Sequence, residues 1–227
     1  MKRIRASAAA AAAAATLLLA PGPALASSSS SMSSPRVPTQ TPEQEAIEYY
    51  NDGISYRDKA AVYEKEAAAE TDAKKREKLE SKAKDKHESS IKKFLMATRK
   101  DPRMFQAWGS LGYAYRKVGN YKDSLETYNK ALEIQPGYTP AIEYRAEAYL
   151  GLNRLDDVRA AYMTLFNLDR ARADELAAAI DRWLENRKTD PAGVDPGKLD
   201  EFSRWAAERK QLSSQTSSAT SPKELRW

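Results

Sequence analysis

The sequence predicts an all-α fold of stacked helical hairpins, an α-solenoid whose first hairpin is lengthened into a projecting helical arm. Three observations predict it. Residues of matching character recur 34 positions apart between about 94 and 165. Within each period, apolar residues recur at i, i+3, i+4 and i+7, the stripe of an amphipathic helix. Residues 60–86 contain neither proline nor glycine and are rich in strong helix formers.

The N-terminus reads as a secretory leader. Lys2, Arg3 and Arg5 precede an alanine-rich apolar run from Ala6 to Ala20, Pro21 and Pro23 break it, and Ala24-Leu25-Ala26 offers a small-x-small cleavage site. An uncleaved anchor is the alternative, but the run is short and weakly apolar for a hydrocarbon core of about 30 Å. The expectation is an exported protein, periplasmic or secreted, cleaved after Ala26, with no stable membrane span once the leader is gone. Removing the three leader cations from the 37 Lys and Arg leaves 34 against 32 Asp and Glu, so the formal net charge falls from +5 to +2. A sustained basic face for nucleic acid is therefore not expected.

Residues 27–42 are a Ser/Pro linker too polar to order itself. Thr41-Pro42-Glu43-Gln44 then carries the signals of a helix start: a capping threonine, proline at the first helical position and glutamine at the reciprocal capping-box position.

The 34-residue register holds in seven columns: Pro102/Pro136, Ala107/Ala141, Ala114/Ala148, Tyr115/Tyr149, Phe94/Tyr128/Tyr162, Ala97/Ala131/Leu165 and Gly119/Asn153. The last pair suits the left-handed backbone of a tight turn. In residues 105–138, Trp108, Leu111, Gly112 and Tyr115 form one helical stripe, and Leu125, Tyr128, Ala131 and Leu132 the answering one. Neither helix buries its stripe alone, so hairpins must stack. This segment resembles a tetratricopeptide repeat, with Trp108, Leu111, Gly112, Tyr115, Tyr128, Ala131 and Pro136 at the family's signature positions. Residues 139–172 resemble a second unit through Ala146, Tyr149, Tyr162 and Leu165, departing from the pattern at Arg145 and Arg170.

Upstream, Tyr49, Gly53 and Tyr56 look like a further first helix, and Ser90, Phe94, Ala97 and Pro102 like its second, making residues 43–104 an enlarged first unit. Tyr56 and Phe94 stand 38 apart, where Tyr115 and Tyr128 stand 13 apart. The added residues, about 60–86, form the arm. Tyr56, Ala60, Tyr63 and Ala67 make a seam facing Ala83, His87, Ser90 and Phe94. Thr71-Asp72 is the expected reversal, with Thr71 capping the return helix and i,i+4 pairs such as Glu70–Lys74 and Asp72–Arg76 on the exposed faces; one unbroken helix is the alternative. Residues 173–188 are read as a capping helix (Leu176, Ile180, Trp183, Leu184), 189–197 as a linker, 198–212 as a final amphipathic helix (Leu199, Phe202, Trp205, Leu212), and 213–227 as a flexible tail.

Chemistry is scarce. There is no cysteine and one histidine, His87, so thiolate sites and histidine pairs are excluded. No glycine-rich loop follows a strand. No enzyme, metal or cofactor is expected. The resemblance implies instead a concave surface for a protein or peptide partner, and Tyr50, Arg57, Tyr113, Arg116, Lys117, Glu143, Tyr144 and Glu147 stand at the offsets that would line it. Aromatic and arginine side chains dominate such interfaces; exposed decoration is the alternative. Gly109 and Tyr113 occupy the positions best matching the lysine and asparagine clamp that some family members use for a terminal carboxylate, so that mode is not expected. From Arg57 to Lys100 there are 14 Lys/Arg against 9 Asp/Glu, a surplus that a solvated face explains and that an anionic surface could also exploit. Self-association through the arm, giving a homo-oligomer, is a further possibility.

Overall fold

A computed structural model describes residues 40–220. The expected leader, the linker before Gln40 and the end of the tail lie outside the described residues. Eight helices follow in order, with no strand among the described residues: α1 Pro42–Ala69, α2 Ala73–Lys100, α3 Phe105–Lys117, α4 Tyr121–Ile134, α5 Thr139–Gly151, α6 Leu155–Leu168, α7 Arg170–Thr189 and α8 Pro196–Thr220. They pair in sequence, and the first helices α1, α3, α5 and α7 also pack side by side as one row.

The first helix starts as its residues dictate. Thr41 Oγ1 accepts from the Gln44 amide at 3.3 Å, and the Gln44 side chain accepts from the Thr41 amide at 3.0 Å. Both α1 and α2 have 28 residues, against 13 and 14 in α3 and α4. The chain reverses at residues 70–72, but the cap falls one residue later than expected: Asp72, not Thr71, accepts from the Lys75 amide at 2.9 Å. The Glu70 carboxylate accepts from the Asp72 amide at 3.0 Å, so both acids serve the turn rather than Lys74 and Arg76. A carboxylate caps more strongly than a threonine hydroxyl at the positive end of a helix. Ala60, Ala67, Ala83, His87 and Ser90 are buried along the seam, while Tyr56 and Tyr63 are half-buried.

One contact repeats along the stack. The second helix of each of the first three hairpins places an aromatic ring on a small residue of the first. A Cβ on Gly53 would stand 2.6 Å from Phe94 Cδ1, and one on Gly112 would stand 2.7 Å from Tyr128 Cδ1. Ala146 faces Tyr162 in the same register, and all three rings are buried. Leu111 and Ala131 are buried too; Trp108, Tyr115 and Tyr149 are half-buried, and Trp108 Nε1 donates to the Pro102 carbonyl at 2.9 Å. Pro136, expected among the packing residues, is exposed. Its role is local, since the residue after the Gln135 C-cap cannot continue the helix.

The C-terminal region differs from the sequence reading. In place of a lone capping helix with a separate final one, α7 and α8 continue the register as a fourth hairpin. Trp183 lies 34 residues after Tyr149. Beyond it six extra residues lengthen the turn, and Gly193 (φ 74°) then takes the place of Gly119 (φ 82°) and Asn153 (φ 57°). With that offset Phe202 succeeds Tyr162, and Trp205 succeeds Leu165. Phe202 is wholly buried, edge-on to Trp183 at 5.9 Å, and Trp205 is edge-on to Tyr162 at 5.5 Å. Ile180 stands where Gly112 and Ala146 allow close approach, so α8 touches α7 over a shorter stretch. Helix α8 also runs to Thr220, through the first part of the expected flexible tail; Ser213 anchors it, donating to Asp174 at 3.2 Å. No helix among the described residues is long and apolar enough to cross a membrane.

Candidate functional site

The row of first helices carries most of the residues expected to face a partner. Tyr113 on α3 and Tyr144 on α5 meet edge-to-face at 5.2 Å, and His87 of α2 extends the series on the other side of Tyr113 at 6.0 Å. The Arg116 guanidinium lies 5.3 Å from the Tyr113 ring centre and 5.6 Å from that of Tyr144. Arg57, Ser110, Tyr113 and Tyr144 enclose a cavity of about 210 Å³. Burial pushes the Tyr113 hydroxyl up to about 12, reinforced by the negative charge of Glu64, so it stays a neutral donor.

Ion pairs brace this face between helices. Arg116 holds Glu147 at 2.5 Å, Lys117 holds Glu64 at 2.7 Å, and Arg172 holds Glu143 at 2.6 Å. Arg57 pairs with its neighbour Asp58 at 2.8 Å. Burial raises the Glu64 carboxyl, but hydrogen bonds from His87 and Lys117 outweigh it and leave the group below the ordinary glutamate value. Burial also disfavours charge on Arg116, yet Tyr128 and Glu147 more than restore it.

Six of the eight expected residues (Arg57, Tyr113, Arg116, Lys117, Tyr144, Glu147) lie half-buried on this face. Two do not belong to an accessible surface. Tyr50 is only 2% exposed, its ring tilted against Phe94 at 5.8 Å. Small residues on the neighbouring α3, Ala107 and Ser110, let α1 close over it, and burial raises its hydroxyl against a hydrogen bond from Ser110. Glu143 is 4% exposed, folded under Arg172, and burial raises its carboxyl despite that partner.

Three contributors escaped the sequence reading. Arg172 falls in the first turn of α7, at the drawn end of a repeat, so nothing marked it as reaching back to Glu143. His87 and Glu64 were legible only as seam and arm residues, yet their hydrogen bond (Nε2 to Oε1, 2.9 Å) joins the arm to Lys117 of α3. Beside them Ala67, Ala83, Lys84 and Lys117 line a notch of about 530 Å³. No group of three His, Cys, Asp or Glu among the described residues could hold a metal ion.

Three hairpins in one 34-residue register and a fourth offset by six residues, each packing a ring onto the preceding helix, define a helical-repeat solenoid. Residues 105–138 match the sequence profile of the family described as tetratricopeptide repeat. Over those residues the chain carries a tetratricopeptide repeat. It is 30% identical over 101 residues to mouse sperm-associated antigen 1, covering 44% of this chain and 11% of that one. It is 33% identical over 63 residues to Superkiller protein 3 of Saccharomyces cerevisiae, covering 28% of this chain and 4% of that one. The chain thus spans only a small fraction of these relatives. Among solved structures it is similar to the first TPR of Spaghetti (RPAP3) bound to an HSP90 peptide, with a TM-score of 0.41 and 17% identity, covering 59% of this chain and 94% of that one. The second TPR domain of human RPAP3, in complex with an HSP70 peptide, has a TM-score of 0.41 and 18% identity, covering 59% of this chain and 98% of that one.

Proposed function

We propose that this protein is an extracytoplasmic scaffold that holds a polypeptide partner on the face formed by its first helices. The observation that carries the reading is the Tyr113–Tyr144 pair flanked by Arg116, half-buried and held rigid by ion pairs. Such a surface is preorganised: its aromatic rings offer contact area at small entropic cost, and its guanidinium groups donate to backbone carbonyls and carboxylates. The leader supports placement outside the cytoplasm.

Replacing Tyr113 and Tyr144 together by alanine tests it. The purified protein, immobilised and exposed to the extracytoplasmic fraction of its own cell, should retain a set of proteins that withstands added salt. The double variant should lose those proteins at least tenfold, the scale of one hot-spot residue (about 1.4 kcal/mol or more). Unchanged capture by a variant that melts like the parent rules the face out.

A second reading rests on the arm. Residues 73–86 hold seven Lys/Arg and three Asp/Glu and are mostly exposed, a charge excess suited to an anionic envelope surface or to self-association with an acidic stretch. Deleting residues 61–86 should then abolish localisation and leave the repeats folded, and binding should fall steeply with salt.

A further inference from the structure

We infer that the cavity where the C-terminal ends of α3, α5 and α7 meet is a carboxylate-binding subsite for an acidic stretch of the bound polypeptide; the inference rests on the reading that this face holds such a chain. The cavity has a volume of about 340 Å³ and is lined by Arg116, Tyr121, Glu147, Arg182, Trp183 and Arg187. Three guanidinium groups therefore surround one carboxylate. That carboxylate is already engaged, since Glu147 is held by Arg116 at 2.5 Å. Arg182 is exposed, and Arg187 uses Nη1 on the Asp190 carbonyl at 3.1 Å while its guanidinium lies 5.0 Å from the Trp183 ring centre.

Trp183, 8% exposed, lines the cavity, so its indole N–H signal reports on what enters it.

The chemistry selects a carboxylate. Guanidinium forks match its two oxygens, and the Glu147 carboxylate in the same cavity opposes a doubly charged phosphoryl group. The cavity also adjoins the aromatic pair, because Arg116 lines it and lies over both Tyr113 and Tyr144. A chain laid across those rings can place an Asp or Glu side chain between Arg182 and Arg187. This subsite lies on different residues from the Gly109 and Tyr113 positions where a terminal-carboxylate clamp would stand.

The experiment is a titration of the purified, ¹⁵N-labelled protein with hexaglutamate, hexalysine and inorganic phosphate, following the indole N–H signals. Trp183→Phe assigns the signal. Hexaglutamate should displace it saturably, hexalysine should not, and phosphate should require much higher concentrations. Arg182→Ala with Arg187→Ala should weaken the hexaglutamate response at least tenfold; Arg182 faces solvent and Arg187 is half-buried, so a melt checks the fold. Absence of a saturable shift, an equal response in the double variant, or saturation by phosphate below the peptide concentration overturns the assignment. The Tyr113→Ala, Tyr144→Ala variant separates the two readings. Hexaglutamate response with lost partner capture supports both, whereas a null titration with capture intact in the parent and lost in the tyrosine variant removes the subsite alone.

Discussion

Substituting Gly53 and Phe94 singly and together tests whether ring-on-glycine contacts hold the hairpins closed. Phe94 is wholly buried, and truncation to alanine should cost about 3–5 kcal/mol through lost transfer energy and the cavity left behind. Gly53→Ala in the parent puts a Cβ 2.6 Å from Phe94 Cδ1 and 2.9 Å from Cζ. The ring has nowhere to move, so overpacking of about 1–3 kcal/mol acts against a helix-propensity gain of about 1 kcal/mol. The net is a loss of about 1 kcal/mol. With Phe94 already alanine the clash is gone, and the same Gly53→Ala change should stabilise by about 1 kcal/mol. Its effect therefore changes sign, a coupling of about 2 kcal/mol between two positions 41 apart in sequence. Urea unfolding followed by far-ultraviolet circular dichroism reads all four proteins. Thermal melts should show Phe94→Ala lower by about 6–20 °C and the second substitution restoring about 2–4 °C, on the scale for a domain of this size. Additivity within about 0.5 kcal/mol would refute the contact as the determinant of hairpin closure.

Asp72→Ala removes the cap of α2 and should destabilise by about 0.5–2 kcal/mol, while Thr71→Ala should do little; urea midpoints separate them. Asp169 caps α7 at the Arg172 amide and accepts from the Thr139 hydroxyl at 2.8 Å, bonds that hold its carboxyl below the ordinary value. Its contribution is present above about pH 3.9 and lost as pH falls through the depressed value, so Asp169→Asn, which keeps the cap, should flatten the fall of melting temperature with acid; an unchanged slope counts against the assignment. Phe202→Ala should cost about 3–5 kcal/mol in urea unfolding if α8 completes a fourth hairpin, and under 1 kcal/mol if α8 is an appendage.

The repeats were legible because each column has one physical job. A ring at 94, 128 or 162 and a small residue opposite it leave a mark that survives without any knowledge of the fold. The fourth hairpin was hidden by six residues, which shift Gly193, Phe202 and Trp205 out of the 34-residue register together while leaving Trp183 in it. Allowing one offset at the turn would have found it. The candidate face was less legible. Periodicity places a residue on a side of its own helix, whereas exposure depends on what the neighbouring helix brings, and Ser110 beside Tyr50 or Arg172 above Glu143 cannot be read from their own turns.

That dependence also shapes what the face can recognise. Its central charges are compensated internally, Arg116 by Glu147, Lys117 by Glu64 and Arg172 by Glu143. A partner approaching the centre meets little net field, and breaking such half-buried pairs would leave charges uncompensated. Affinity there must come from the tyrosine rings and from hydrogen bonds the braced side chains can still make. Among the described residues, excess positive charge gathers beside the turn between α1 and α2, at Lys74, Lys75, Arg76 and Lys78, and in the cavity holding Arg182 and Arg187. On the proposed reading, a bound chain would be apolar or aromatic in its middle and acidic toward its ends. Salt should accordingly slow its association through the flanking charges more than it loosens the grip of the centre.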